Sequence, residues 1–239
     1  MKCVILAAGY ATRLYPLTEN FPKPLLPVGG KPILDWLIDD LDTVTDEFVV
    51  VTNHRFAGRF HTWAQGRNIT VIDDRTQTNE TRLGAVKDIW LAVSNITDDV
   101  LVMAGDNVLT FSLVPFIGFA REKGTSCVMC HKEDRPEKQR RTAVITVDQN
   151  GLITSYEEKP EHPRGNLAVP PFYYYLNRDV KRIGEALKAG CGSDAPGSFA
   201  AWLSAHAAMH AWQMPGRRYD IGDLSSYEAV RESYRGPVL

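Results

Sequence analysis

The sequence predicts an α/β fold: a mixed, mostly parallel sheet with helices on both faces and antiparallel additions in the C-terminal half. Three observations carry that reading. Short apolar runs recur through the first half of the chain, segments with helical apolar spacing lie between them, and strand-like segments crowd the stretch after Gly151. With 239 residues, 44% hydrophobic and 10% aromatic, the chain can bury one sizeable core, so a single domain over residues 1–239 is expected.

The first run, CVIL at 3–6, ends at Ala7, Ala8 and Gly9, which reads as a buried strand opening into a loop. Pro32 then stands before Ile33, Leu34, Leu37, Ile38 and Leu41, the pattern of an amphipathic helix with proline at its start. Further buried strands are predicted at 48–51, 69–72, 100–104, 126–130 and 143–147, and helices around 82–93 and 111–121. Strands at 151–156 and 172–176 follow, and Asp223 is placed to cap a last helix carrying Tyr227, Val230 and Tyr234. Along Phe172, Tyr173, Tyr174 and Tyr175 the two-residue period predicts two side chains in the core and two facing a cleft or solvent. The stretch 193–206 reads as a short helix in which Trp202 packs.

Composition narrows the partners. Lysine and arginine number 27 against 29 aspartates and glutamates, a formal net charge of −2, which supplies no broad basic surface for nucleic acid. No apolar run approaches the ~20 residues that span a bilayer. Cys127 and Cys130 have the spacing of a metal pair but sit in a strand-like run with no second pair after them, and the six histidines show no ligand spacing. Reduced thiols and a cytoplasmic location are therefore expected.

Residues 6–18, LAAGYATRLYPLT, carry the chemistry. Small residues let backbone N–H groups approach phosphates closely, Arg13 offers a forked permanent cation, and Lys23 stands as a point charge between Pro22 and Pro24. Asp106 follows the apolar run 100–104, at the strand end where open α/β sheets bind ligands.

The blocks LAAGYATRLYPLTENFPKPLLPVGGKPIL, AGDN at 104–107, YEEKP at 156–160 and RYDIGD at 218–223 together resemble the sugar-phosphate nucleotidyltransferases, in family order and over residues 4–223. The chain resembles the glucose-1-phosphate thymidylyl- and uridylyltransferases in a short form without a C-terminal β-helix. The resemblance implies a Rossmann-like sheet and a nucleotide site at Leu6, Ala8, Gly9, Arg13, Asn79 and Gly84. It implies Mg²⁺ on Asp106 and Asp220, and a sugar phosphate held by Glu158 and Lys159. Arg13 and Lys23 would be catalytic, offsetting charge on the leaving pyrophosphate and the α-phosphate. The implied reaction joins an NTP, dTTP or UTP, to a hexose 1-phosphate and releases pyrophosphate, with no nucleic-acid or membrane partner; homo-oligomerisation stays open.

Several positions depart from the family pattern. Ala11 replaces a second loop glycine, which a negative φ would permit. Asn79 stands nearest the place where relatives use a base-reading glutamine, Ala143 replaces a glycine, and Pro170 and Pro171 replace a small pair. Two other readings fit parts of the sequence: a CTP-dependent cytidylyltransferase for a phosphocholine-like alcohol phosphate, with tyrosines caging the cation, and an inactive nucleotide-sugar-binding regulator.

Overall fold

A computed structural model describes residues 1–237. The fold is α/β, a mixed sheet flanked by helices. The chain divides into two compact units, one formed by Met1–Leu83, Ala104–Val114 and the segment from Pro215 on, the other by Gly84–Met103 and Pro115–Met214.

In the first unit, strands Lys2–Leu6, Glu47–Thr52 and Ile69–Asp73 pair in parallel, with Cys3 opposite Phe48 and Phe48 opposite Ile69. Cys3, Val4 and Ile5 are wholly buried, as a strand covered on both faces requires. Helix Ile33–Leu41 buries the predicted residues Ile33, Leu34, Leu37, Ile38 and Leu41. Helix His54–Ala64 has no counterpart among the predicted helices; it buries Phe56, Ala57, Phe60 and Ala64 at helical spacing. A short antiparallel ladder joins Asn107–Leu109 to Arg218–Asp220, with Asp220 opposite Asn107. Helix Leu224–Arg231 starts where predicted: the Asp223 carboxylate accepts from Ser226 N–H, and Ser226 closes a capping box. Leu14, Val28, Ile33, Val108, Ile221 and Tyr227 form one buried cluster that ties the signature loop to the ladder and to this helix.

In the second unit, Phe172–Tyr175 pairs antiparallel with both Val100–Ala104 and Ser126–Lys132. All four of its aromatic side chains are buried, which corrects the expectation that two would face outward. A strand bordered on both edges and covered on both faces has no solvent side. Ala143–Val147 and Ile153–Glu158, both predicted, and Leu167–Val169, which has no counterpart among the predicted strands, add further antiparallel pairs, while Met209–Gln213 runs parallel to Ser126–Lys132. Helix Gly197–Ser204 packs on Ile153–Glu158, and Trp202 stacks between Phe199 and His206. Cys127 and Cys130 lie buried, and burial pushes both thiols up to about 11. Among the described residues the cysteines are free and no helix is long and apolar enough to cross a membrane.

Candidate active site

The loop after Lys2–Leu6 is held from below by the neighbouring strand. Ala7 N–H donates to Val51 O at 2.8 Å, and the wholly buried Asn53 gives its amide N–H₂ to Ala8 O at 2.9 Å. The Asn53 side-chain oxygen accepts from Phe56 N–H at 3.1 Å, so one residue both caps helix His54–Ala64 and tethers the loop. Gly105 N–H donates to Leu6 O at 3.0 Å, fixing the strand end from the other side. Gly9 faces open space: a Cβ built there meets no atom within 4 Å. That is room for a ligand to reach the backbone.

Ala11 adopts φ 48 and ψ 41, the left-handed region. The negative φ that would let alanine stand there without strain is not adopted. The carbonyl of Ala11 accepts from Leu14 N–H at 2.9 Å and from the buried Thr18 hydroxyl at 2.8 Å, and these bonds hold a conformation that costs a non-glycine residue about 1–2 kcal/mol. The following 3₁₀ turn, Thr12–Leu14, carries Arg13 exposed.

Around Asp106 the first unit gathers three of the predicted residues, Lys23, Asp106 and Asp220. Lys23 Nζ donates to Asp106 Oδ2 at 2.5 Å and to Ile221 O at 2.9 Å. Asn107 donates to Asp106 Oδ1 at 2.7 Å, and Arg218 donates to Asn107 Oδ1 at 2.6 Å and stands 3.7 Å from Asp220 Oδ2. Burial works to raise the Asp106 carboxyl, but the charge and hydrogen bond of Lys23, with Arg218 behind it, outweigh burial and hold it below the ordinary range. Asp220 moves the other way: burial and the Asp106 charge push it up, against Arg218, Lys23 and Arg13. The Asp106 charge raises the cost of ionising Asp220, and a divalent cation, which takes hard carboxylate oxygens, would relieve that cost. Asn107 and Arg218 had no role in the sequence reading, although both lie inside the blocks AGDN and RYDIGD. Asn79 is exposed in a 3₁₀ turn, and its side-chain oxygen accepts from Arg82 at 2.9 Å.

The remaining predicted residues belong to the second unit. Gly84 has φ 91, and its neighbours Ala85 and Val86 donate to Asp194 O and Ser193 O at 3.3 and 2.9 Å. Glu158 ends strand Ile153–Glu158 half-buried; burial raises its carboxyl, with Lys159 opposing. Lys159 has φ 49, its N–H donating to Thr142 O at 3.1 Å, and its side chain is exposed.

A phosphate-ready loop on a parallel strand, backed by paired acidic and basic groups at a strand end, defines the class. Residues 2–235 match the family model described as nucleotidyl transferase, and the chain belongs to that family. It is 31% identical over 178 residues to the bifunctional protein GlmU of Methanococcus aeolicus, covering 74% of this chain but 41% of that protein. It is 32% identical over 179 residues to the UTP–glucose-1-phosphate uridylyltransferase AglF of Haloferax volcanii, covering 73% of this chain and 72% of that one. A UDP-glucose pyrophosphorylase solved with UDP-glucose superposes with a TM-score of 0.82 over 98% of this chain and 97% of its own, at 19% identity, and shares the fold.

Proposed function

We propose that the chain is a sugar-1-phosphate nucleotidyltransferase acting in the cytoplasm as one domain, joining an NTP to a hexose 1-phosphate and releasing pyrophosphate. The observation that carries this reading is the cluster of Lys23, Asp106, Asp220 and Arg218 at the end of the first unit's signature loop. The sequence resemblance and the family relatives support the substrate class, with dTTP or UTP as the nucleotide and glucose 1-phosphate as the sugar.

A phosphate oxygen of the sugar 1-phosphate attacks the α-phosphorus of the NTP, the bond from that phosphorus to the β-bridging oxygen breaks, and pyrophosphate departs. The attacking oxygen is already anionic at neutral pH, so no strong base is needed and positioning dominates. Asp106 and Asp220 would hold Mg²⁺, which when bound neutralises phosphate charge and orients the reacting oxygens. Lys23 faces the α-phosphate, and Arg13, as a forked cation, offsets charge on the leaving pyrophosphate. Backbone N–H groups near Ala8 and Gly9 cradle the triphosphate. On the family resemblance, Leu6, Asn79 and Gly84 would serve the nucleotide, and Glu158 and Lys159 the sugar and its phosphate.

The test is pyrophosphate release with Mg²⁺ across UTP, dTTP, CTP, GTP and ATP, each paired with glucose 1-phosphate, other sugar 1-phosphates or phosphocholine. Release with a sugar 1-phosphate is expected. Release only with phosphocholine, or none at all, overturns the proposal.

A further inference from the structure

Helix Gly197–Ser204 lies on strand Ile153–Glu158, and its first residue meets Glu158. A Cβ built on Gly197 would overlap Glu158 Oε2 and stand 3.1 Å from the Tyr156 hydroxyl. Gly197 is absent from the glycines with positive φ, so the backbone makes no demand for glycine there. What requires glycine is the space that the Glu158 carboxylate occupies.

The surrounding polar groups are poorly served by the protein itself. The Tyr175 hydroxyl is buried with no hydrogen-bond partner, and the Tyr156 hydroxyl, also buried, has only another tyrosine hydroxyl, that of Tyr173, beside it. Among the described residues no donor hydrogen-bonds the Glu158 carboxylate, and the Lys159 charge is what favours its ionised form against burial. A carboxylate that accepts only, beside a hydroxyl that can donate or accept, complements the adjacent hydroxyls of a sugar ring.

We propose that Gly197 is a positioning residue for sugar recognition: by lacking a side chain it leaves the Glu158 carboxylate in place to accept from neighbouring ring hydroxyls, with the Tyr156 hydroxyl completing the set. This rests on the reading of Glu158 as a sugar ligand. Selectivity follows from the same arrangement, because a site built to hydrogen-bond a hydroxyl discriminates strongly against an analogue lacking it.

The experiment compares wild type, Gly197→Ala, Glu158→Ala and the double variant. Melting temperature, KM for the NTP, KM for glucose 1-phosphate and the calorimetric Kd for glucose 1-phosphate are read for each. Alanine favours a helix over glycine and the overlapping atom is the tip of a flexible side chain, so Gly197→Ala keeps or raises the melting temperature. Its KM and Kd for the sugar phosphate rise about tenfold or more while KM for the NTP holds. In the Glu158→Ala background the same substitution changes the sugar Kd by less than about twofold, since no carboxylate remains to displace. An unchanged sugar KM and Kd in Gly197→Ala, or an equal rise in both backgrounds, overturns the proposal while leaving the activity intact. No pyrophosphate release by wild type with any sugar 1-phosphate would instead overturn the activity reading, and this inference with it.

Discussion

Removing Asn53 separates the two tasks its side chain performs. Asn53→Ala deletes the N-cap of helix His54–Ala64, a loss of about 1 kcal/mol. It also leaves the Ala8 carbonyl without its donor; Ala8 is 7% exposed, and an unpaired buried carbonyl costs about 1–3 kcal/mol. Together the two losses come to about 2–4 kcal/mol. In a chain of this size each kcal/mol moves the melting temperature by about 2–4 °C, so thermal unfolding followed by circular dichroism falls by roughly 5–15 °C. Asn53→Asp is the sharper variant. Its carboxylate still accepts from Phe56 N–H and suits a helix N-terminus, but it turns an oxygen, not an N–H₂ group, toward Ala8 O. The expected result is a melting temperature no higher than that of Asn53→Ala, because the wholly buried carboxylate faces the Ala8 carbonyl oxygen, with KM for the NTP raised about tenfold by the untethered loop. If Asn53→Asp matches wild type in both readings, the tether to Ala8 does not set the loop, and the reasoning fails.

Asp106→Asn keeps the side chain's shape and removes its charge, so turnover falls by about a hundredfold or more while the melting temperature shifts by only a few degrees; normal turnover in a pyrophosphate assay would remove Asp106 from the site. Arg135 grips Glu133 through two hydrogen bonds of 2.7 Å and lowers its carboxyl from 4.5 to about 2. Because the folded value is depressed, this contribution is full above pH 4.5 and is lost as pH falls toward 2, so the acid limb of a stability–pH curve is shallower in Glu133→Gln than in wild type. Gly84→Ala meets both a φ of 91 and a Cβ 2.5 Å from Ser193 O, and a urea titration is expected to register a loss of about 2 kcal/mol. A loss under about 0.5 kcal/mol would mean that the turn relaxes around the methyl group.

The parts of the fold legible in the sequence were those whose signal is local. The run CVIL, the spaced apolar residues after Pro32 and the capping residue Asp223 each announced their element within a few positions. Asp106 was placed at its strand end by the run before it. Helix His54–Ala64 escaped because arginine, histidine and glycine alternate with Phe56, Ala57 and Phe60, so the apolar stripe is narrow, although Asn53 was available as a start signal. Strand Met209–Gln213, MHAWQ, owes its place to a partner strand some eighty residues earlier, a relation that no window of sequence contains. The left-handed backbone at Ala11 is illegible for a related reason: alanine disfavours that region, and what holds it there is two bonds to its carbonyl, one of them from a hydroxyl seven residues on. At the site, the residue types were readable and their pairing was not. Lys23 had been assigned to a phosphate alone, and only folding brings its ammonium onto Asp106.

The ladder that joins Asn107–Leu109 to Arg218–Asp220 bears on the timing of synthesis. Asn107 and Arg218, bonded to each other, are 111 positions apart. At roughly 5–20 residues per second, on the order of ten seconds separate their emergence from the ribosome. Throughout that interval the signature loop, Lys23 and Asp106 exist without their second carboxylate. A nascent chain can complete its first parallel strands early, but the acidic pair is joined only after the segment that carries Asp220 has been made.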